Sequence, residues 1–355
     1  MGTAEEEAFE QGLQAYLAAG RTLDEWISGA RALALLRGAL SSGVLETART
    51  PSTAARIAAV SGLDEDRVEA VCLALVAHGV FERDGGYYRL SPDFSVLASP
   101  EAVRSLPDVL AREEVLGRSL ESAASPQVAY TALSSEDVLA LAVGLGMRPT
   151  SPTTRAFWAA AVRNAVPEAH ALWVEGGRHL ELGCGVANAL LSLLASHPSM
   201  TATGVELDEA ALAVARRRAE VLGVTDRVEF RHADARDLEE EEAFETASWS
   251  QQFFPAEGRE EVLVGARRAL KPGGYLVATM FGDPPGSGEA LREPQGRTFS
   301  LDRMLYGGWG VPVLSEEGLR AELEAAGFEV LRTVPAPPNP LSVSRGLMLA
   351  RRPRG

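Results

Sequence analysis

Positive charge is scarce in this chain. Its 355 residues carry 34 lysines and arginines against 49 acids, a formal net charge of −15. That balance excludes a broad nucleic-acid-binding surface, which needs clustered cations to replace phosphate counterions. Lysine is almost missing. Lys271 is the only one and falls in a Lys-Pro-Gly-Gly turn, so lysine Schiff-base chemistry has no good candidate. Cysteine is limited to Cys72 and Cys184, in different regions. No disulfide framework is expected, and a reducing cytoplasm is the expected compartment. No apolar run reaches membrane-spanning length, and Glu5, Glu6 and Glu7 stand where a secretory signal would be basic. Neither a membrane nor nucleic acid is an expected partner. What is present is an ordinary 46% apolar content, in a chain long enough for two domains.

Three regions follow from the patterning. Residues 1–100 begin with helical spacing of Leu23, Trp26, Ile27, Ala30, Leu33 and Ala34. Thr50-Pro51-Ser52 is read as the cap of a short helix, Ser61-Gly62 as a turn, and Asp64 to Ala77 as a second helix. Val80–Arg83, Asp84-Gly85-Gly86 and Tyr87–Leu90 read as strand, turn and strand. Helix-turn-helix plus hairpin is a winged-helix pattern. Its second helix opens Asp64-Glu65-Asp66 and carries Glu69, charges that repel phosphate. A dimerisation role is therefore preferred over DNA binding. Residues 101–174 read as helices broken by prolines, either a plain connector or a cap over a substrate pocket.

Residues 175–355 change rhythm. Strands are expected near 178–182, 201–206, 227–231, 246–250, 274–280, 328–333 and 345–350. Helices are expected near 187–196, 208–222, 257–270 and 315–326. The alternation predicts an α/β domain with a mostly parallel, Rossmann-like sheet. Pro335, Pro337, Pro338 and Pro340 leave no room for a helix between the last two strands, so these should pair antiparallel at one edge. The Gly- and Pro-rich stretch 282–312 is expected to form a lid or binding loop.

The chemistry gathers at strand ends. Glu181-Leu182-Gly183-Cys184-Gly185 is a strand running into a Gly-x-Gly turn and a helix. Glycines allow the backbone to turn sharply and approach a ligand closely. A dinucleotide site would place a third glycine where Asn188 stands. Glu206 closes the next strand, where a carboxylate can accept both ribose hydroxyl protons, although it can also be read as a helix N-terminal acid like Asp208. Asp234 and Ala235 follow the third strand, placed to meet an adenine edge. Glu181 beneath the turn suits a cationic amino group better than a phosphate.

With Gly204-Val205-Glu206-Leu207-Asp208, His232-Ala233-Asp234-Ala235-Arg236 and Leu270-Lys271-Pro272-Gly273-Gly274, these motifs resemble the class I S-adenosylmethionine (SAM)-dependent methyltransferases over about residues 175–350. The N-terminal pattern further resembles dimeric small-molecule O-methyltransferases. The resemblance implies a seven-stranded sheet, SAM as cofactor, a small-molecule acceptor of secondary metabolism and a homodimer. It places Glu181, Gly183, Cys184 and Gly185 along the methionine moiety, Glu206 on the ribose, Leu207 against adenine, and Ser250 and Gln251 near the methionine part. Where such enzymes carry a histidine base after the fourth strand, this chain has about Gln252, which takes no proton at neutral pH. His170, just before the first strand, is then the best-placed alternative base, and Asp283 another, although a partly exposed helix residue is the preferred reading of His170. Tyr130, Trp158, Tyr306 and Trp309 are candidates for the acceptor site, or simply core aromatics. No metal-ligand cluster is expected at the strand tip. Methyl transfer needs positioning more than proton chemistry, so a reaction without a side-chain base is expected. A non-methylating use of SAM, such as cyclisation that releases methylthioadenosine, stays open. A SAM-binding regulator is disfavoured by the acidic helix.

Overall fold

The computed structural model describes residues 3–125, 133–335 and 346–354. The chain divides into two compact units, Met1–Pro100 and Glu101–Gly355. The first contains α1 (Thr3–Ser41), α2 (Val44–Thr47), β1 (Ser52–Thr53), α3 (Ala54–Ser61), α4 (Glu65–Ala77), β2 (Phe81–Asp84), β3 (Tyr87–Leu90) and α5 (Pro92–Ala98). Its strands form one antiparallel sheet in the order β1-β3-β2. Gly85 at φ 53° and Gly86 at φ 87° make the tight turn between β2 and β3, where a hairpin of this twist needs left-handed backbone. Asp64 caps α4 by accepting from Arg67 N. The cap of α3 is Thr53, not Thr50 to Ser52 as the sequence suggests. Ser52 and Thr53 pair with Tyr88 and Tyr87, and this added strand moves the helix start onto Thr53. Helix, turn, helix and hairpin form a winged helix.

The second unit opens with α6 (Leu106–Ala123), α7 (Ser135–Leu145), α8 (Pro152–Ala165) and α9 (Pro167–Val174). Then come β4 (Arg178–Leu182), α10 (Asn188–Ser196), β5 (Thr201–Glu206), α11 (Glu209–Leu222), β6 (Val228–His232), β7 (Phe244–Ser250), α12 (Arg259–Ala269) and β8 (Leu270–Met280). The chain finishes with α13 (Gly288–Arg292), α14 (Pro294–Gly308), α15 (Glu316–Ala325), β9 (Glu329–Pro335) and β10 (Gly346–Arg351). Seven strands lie in the order β6-β5-β4-β7-β8-β10-β9. Strands β4 to β8 pair in parallel, and β10 runs antiparallel to both neighbours. Helices cover both faces, so the inner strands β4, β5 and β8 bury consecutive residues, while β6 and the edge strand β9 stay more polar. One core packs Leu180, Leu182 and Trp249 against α12 and α15, and the other packs Ala202, Val277 and Leu349 against α8 to α11. Among the described residues no helix is long and apolar enough to cross a membrane.

The stretch 282–312 is not an open loop. It folds into α13 and α14, and α14 packs against α6. The breakers lie where helices begin: Ser287 caps α13 by accepting from Ala290 N, and Pro294 stands in the first turn of α14. Gly296 marks close packing. A Cβ there would lie 2.1 Å from the Ala290 carbonyl oxygen.

A neutral histidine is built into the sheet. His179 is fully buried between Thr246 Oγ1, 2.8 Å from Nδ1, and Ser248 Oγ, 3.1 Å from Nε2. Trp173 Nε1 donates to the same Thr246 hydroxyl at 2.8 Å, so that hydroxyl donates onward to Nδ1 and Nε2–H donates to Ser248. Burial pushes the His179 pKa down to about 3. The unfolded chain therefore binds a proton the folded one refuses. Stability from this group is complete above the ordinary histidine pKa of about 6.5 and is lost as pH falls toward 3, at up to about 1.4 kcal/mol per pH unit. Urea denaturation between pH 4 and 7 should show this slope, and His179→Gln should flatten it.

Candidate active site

Strand order reverses between β4 and β7. After β4 the chain proceeds outward to β5 and β6, then returns to lay β7 on the other side. Connections leave in opposite directions at such a point, and a crevice opens at the carboxyl ends of the two strands. The Gly183–Gly185 turn lines one side and the segment after Ser250 the other.

The turn is built for close approach. Gly183 sits at φ 66° and Gly185 at φ 54°, and an added Cβ at Gly185 would meet nothing within 4 Å. Ala187 also takes a left-handed conformation, φ 56°, directly before α10. Such a conformation is uncommon for a residue with a side chain and collects at functional turns. Across the turn, the Glu206 carboxylate accepts from Gly185 N at 2.7 Å, Leu207 N at 2.9 Å and Asp208 N at 3.0 Å. Three amides orient it and leave one lone pair of Oε2 for a ligand hydroxyl. The helix-capping duty falls instead on Asp208, which accepts from Ala211 N at 2.8 Å. Leu207 is 65% exposed beside Glu206, an apolar platform at the mouth of the turn.

Glu181 lies on the floor of the crevice and accepts from Leu190 N at 3.1 Å. Desolvation, with the Glu206 charge adding to it, pushes its carboxyl up to about 8. Cys184 is buried, and burial followed by Glu181 and Glu206 raises its thiol well above the usual range, the opposite of an activated nucleophile. Its sulfur fills space against Gly204, where a Cβ would come within 2.9 Å. Asp234 is engaged by Arg236, which bonds both carboxylate oxygens and holds the carboxyl below its usual range. Ala235 is buried in the turn that follows.

At the tip of β7, Gln252 Oε1 accepts from Thr279 Oγ1 at 2.7 Å and from Ser250 Oγ. Its Nε2, and both amide atoms of Gln251, are buried and unpartnered among the described residues. Orphaned buried amides are costly unless something else supplies their hydrogen bonds. Thr279 was not singled out from sequence. It joins Ser250 only through the β7–β8 register, which pairs the two residues. Phe254 was also missed: its ring lies 3.2 Å from where a Gly183 Cβ would be.

Other expected residues lie elsewhere. His170 is a correction. Its ring packs 5.2 Å from His197, in the connection from α10 to β5, so it stands at the edge where strands begin, opposite the turn. Helix α9 leads into β4 along the sheet and does not fold over the crevice. Asp283 accepts from Glu316 N at 2.9 Å and so tethers the start of α15. Tyr306 is buried against Phe281 and Trp309, in a small cluster with Val311 and Val313. Trp158 packs into the core of α8 to α11. Tyr130 lies outside the described residues. Among the described residues no group of three or more His, Cys, Asp or Glu is placed to share a metal ion.

Comparison with known proteins agrees with this fold. Residues 180–274 match the family model described as a methyltransferase domain. A demethylmenaquinone methyltransferase of Clavibacter sepedonicus is 38% identical over 117 residues, 32% of this chain and 44% of that protein. The chain spans about half the length of the curated relatives it matches. Among solved structures, an O-methyltransferase family protein from Burkholderia thailandensis superposes with a TM-score of 0.67 at 20% identity, covering 93% of this chain and 97% of that one. The SAH-bound CalO1, a methyltransferase in calicheamicin biosynthesis, gives 0.63 at 20% identity, with 94% and 98% covered. The chain has the class I SAM-dependent methyltransferase fold and carries a methyltransferase domain.

The buried acid has a measurable consequence without any ligand. The folded chain holds a proton on Glu181 between the ordinary glutamate pKa and about 8, so this group lowers stability as pH rises through that window. Glu181→Gln should raise Tm relative to the unsubstituted protein at pH 8–9, and the gap should close below pH 5.

Proposed function

We propose that the chain is a SAM-dependent methyltransferase acting on a small molecule of secondary metabolism, by positioning rather than by a side-chain base. The carrying observation is the Glu206 carboxylate, held by three backbone amides across a glycine turn that is open at Gly185. The donor set suits an aminoacyl nucleoside. Glu206 accepts from ribose, Leu207 offers an apolar face to adenine, and Glu181 meets an ammonium that restores its ionised form. The loop after α7 reaches the start of α10, since Gly146 lies against Asn188, and it carries Arg148 within electrostatic reach of Arg218. That loop suits a ligand carboxylate. Asp234 serves adenine only by sharing its carboxylate with Arg236.

When bound, SAM supplies a sulfonium-activated methyl group. The chain's own task is then alignment and exclusion of water. Gln252 is pinned by Thr279 and Ser250 and presents amide protons, so it orients an acceptor oxygen instead of taking its proton. The curated relatives and solved neighbours named as methyltransferases support the reaction class. Homodimerisation is assigned to α1, whose Tyr16 and Trp26 are 75% and 66% exposed amid further uncovered apolar residues.

Calorimetry with S-adenosylhomocysteine (SAH) tests the cofactor assignment. Binding is expected, and Glu206→Ala should weaken it by about 1–3 kcal/mol, the scale for losing a charged hydrogen-bond partner. Unchanged affinity would place the ribose elsewhere. Mass spectrometry after incubation with SAM and an acceptor panel should find SAH as product, whereas methylthioadenosine would mean cyclisation. Light scattering should give twice the chain mass, and Trp26→Glu should shift it to one.

A further inference from the structure

One buried charge has no part in the chemistry above. Arg259, at the start of α12, is 3% exposed. Its Nε and Nη2 donate to the two carboxylate oxygens of Glu322 on α15 at 2.7 and 2.6 Å, a bidentate pair. Its remaining Nη1 donates to the carbonyls of Gln251 and Phe254, both at 3.0 Å. The guanidinium also lies 4.8 Å over the Trp249 ring, on which Phe254 stacks at 5.7 Å. Phe254 in turn leans on Gly183, and the segment between the two carbonyls carries the orphaned amides of Gln251 and Gln252.

We propose that the Arg259–Glu322 pair is a positioning element of the site, holding the strand-tip segment 251–254 against the glycine turn. Only arginine fits this arrangement. Its planar fork serves a carboxylate on one side while its other donor reaches two carbonyls, a geometry lysine does not reproduce. The bonds of Arg259 to the Gln251 and Phe254 carbonyls carry the pair's influence to the crevice. The pair also ties α15 to the site through Glu322, and the start of that helix is bonded separately to Asp283 beyond β8. Where cofactor affinity is concerned, the inference rests on the SAM reading above.

Two measurements separate this inference from that reading. In the ligand-free protein, hydrogen exchange should quicken about tenfold in peptides spanning 183–187 and 251–254 of Glu322→Gln, while β5 and β6 keep their protection. With SAH, Glu322→Gln and Arg259→Lys should each lose about fivefold in affinity. Their losses should be strongly non-additive with Phe254→Ala, as expected when one residue acts through another. A purely structural pair would lower Tm yet leave SAH affinity additive with Phe254→Ala. That result, or unchanged exchange at 183–187 in folded Glu322→Gln, overturns the proposal. If the unsubstituted protein does not bind SAH, the cofactor reading fails and the exchange experiment alone decides this one. Should Arg259→Lys not fold, because an ammonium cannot supply all four of these hydrogen bonds, Glu322→Gln carries both measurements.

Discussion

The reversal of strand order between β4 and β7 is the constraint on which the site depends. Parallel strands need crossover connections, and each crossover leaves from a carboxyl end. Those from β4 and β7 depart in opposite directions, which opens a crevice at the carboxyl ends of the two strands. The glycine turn, Glu206 and the Ser250–Phe254 segment all face that gap because they follow neighbouring strands. Their approach needs no long-range design beyond sheet order. What needs design is the close packing of Phe254 on Gly183, where a Cβ at 183 would lie 3.2 Å from the ring and crowd it.

Electrostatics then selects what the gap accepts. Two acids lie within it and feel each other, and one is desolvated enough to keep its proton near neutral pH. Phosphate would meet repulsion there, while a ligand with an ammonium and free hydroxyls is matched. Glu206 is held ready by backbone amides, so a ligand does not have to orient it. On the far side of the gap the polar groups are amides and hydroxyls, which orient an oxygen but do not ionise it. The gap thus has a charged side and a neutral side, and the proposed function assigns the first to the cofactor and the second to the acceptor.

Much of this was legible in the chain. The seven strands and the four helices between them follow from alternating apolar runs and breakers, because each strand buried on two faces must be apolar along its length. Glu206 and Asp208 were two candidates for two jobs, and the hydrogen bonds divide them, Asp208 to the helix cap and Glu206 to the turn. The errors have physical causes. Gly and Pro in 282–312 signalled a loop, but there they start helices and permit close packing. His170 was placed over the crevice by its position just before β4. Its helix instead lies along the sheet, with His170 packed against His197.

By itself the sequence determined the fold class, the glycine turn and the acids at the strand ends, because these depend on local periodicity and backbone freedom. Tertiary structure alone decided which residues surround the gap. Thr279 reaches Ser250 through strand register, Phe254 reaches Gly183 through the sharp turn after β7, and Arg259 reaches Glu322 across 63 positions of chain. Contacts of that kind carry no periodic signal. They arise when separate elements are packed, and a single chain read residue by residue holds no record of which ones will meet.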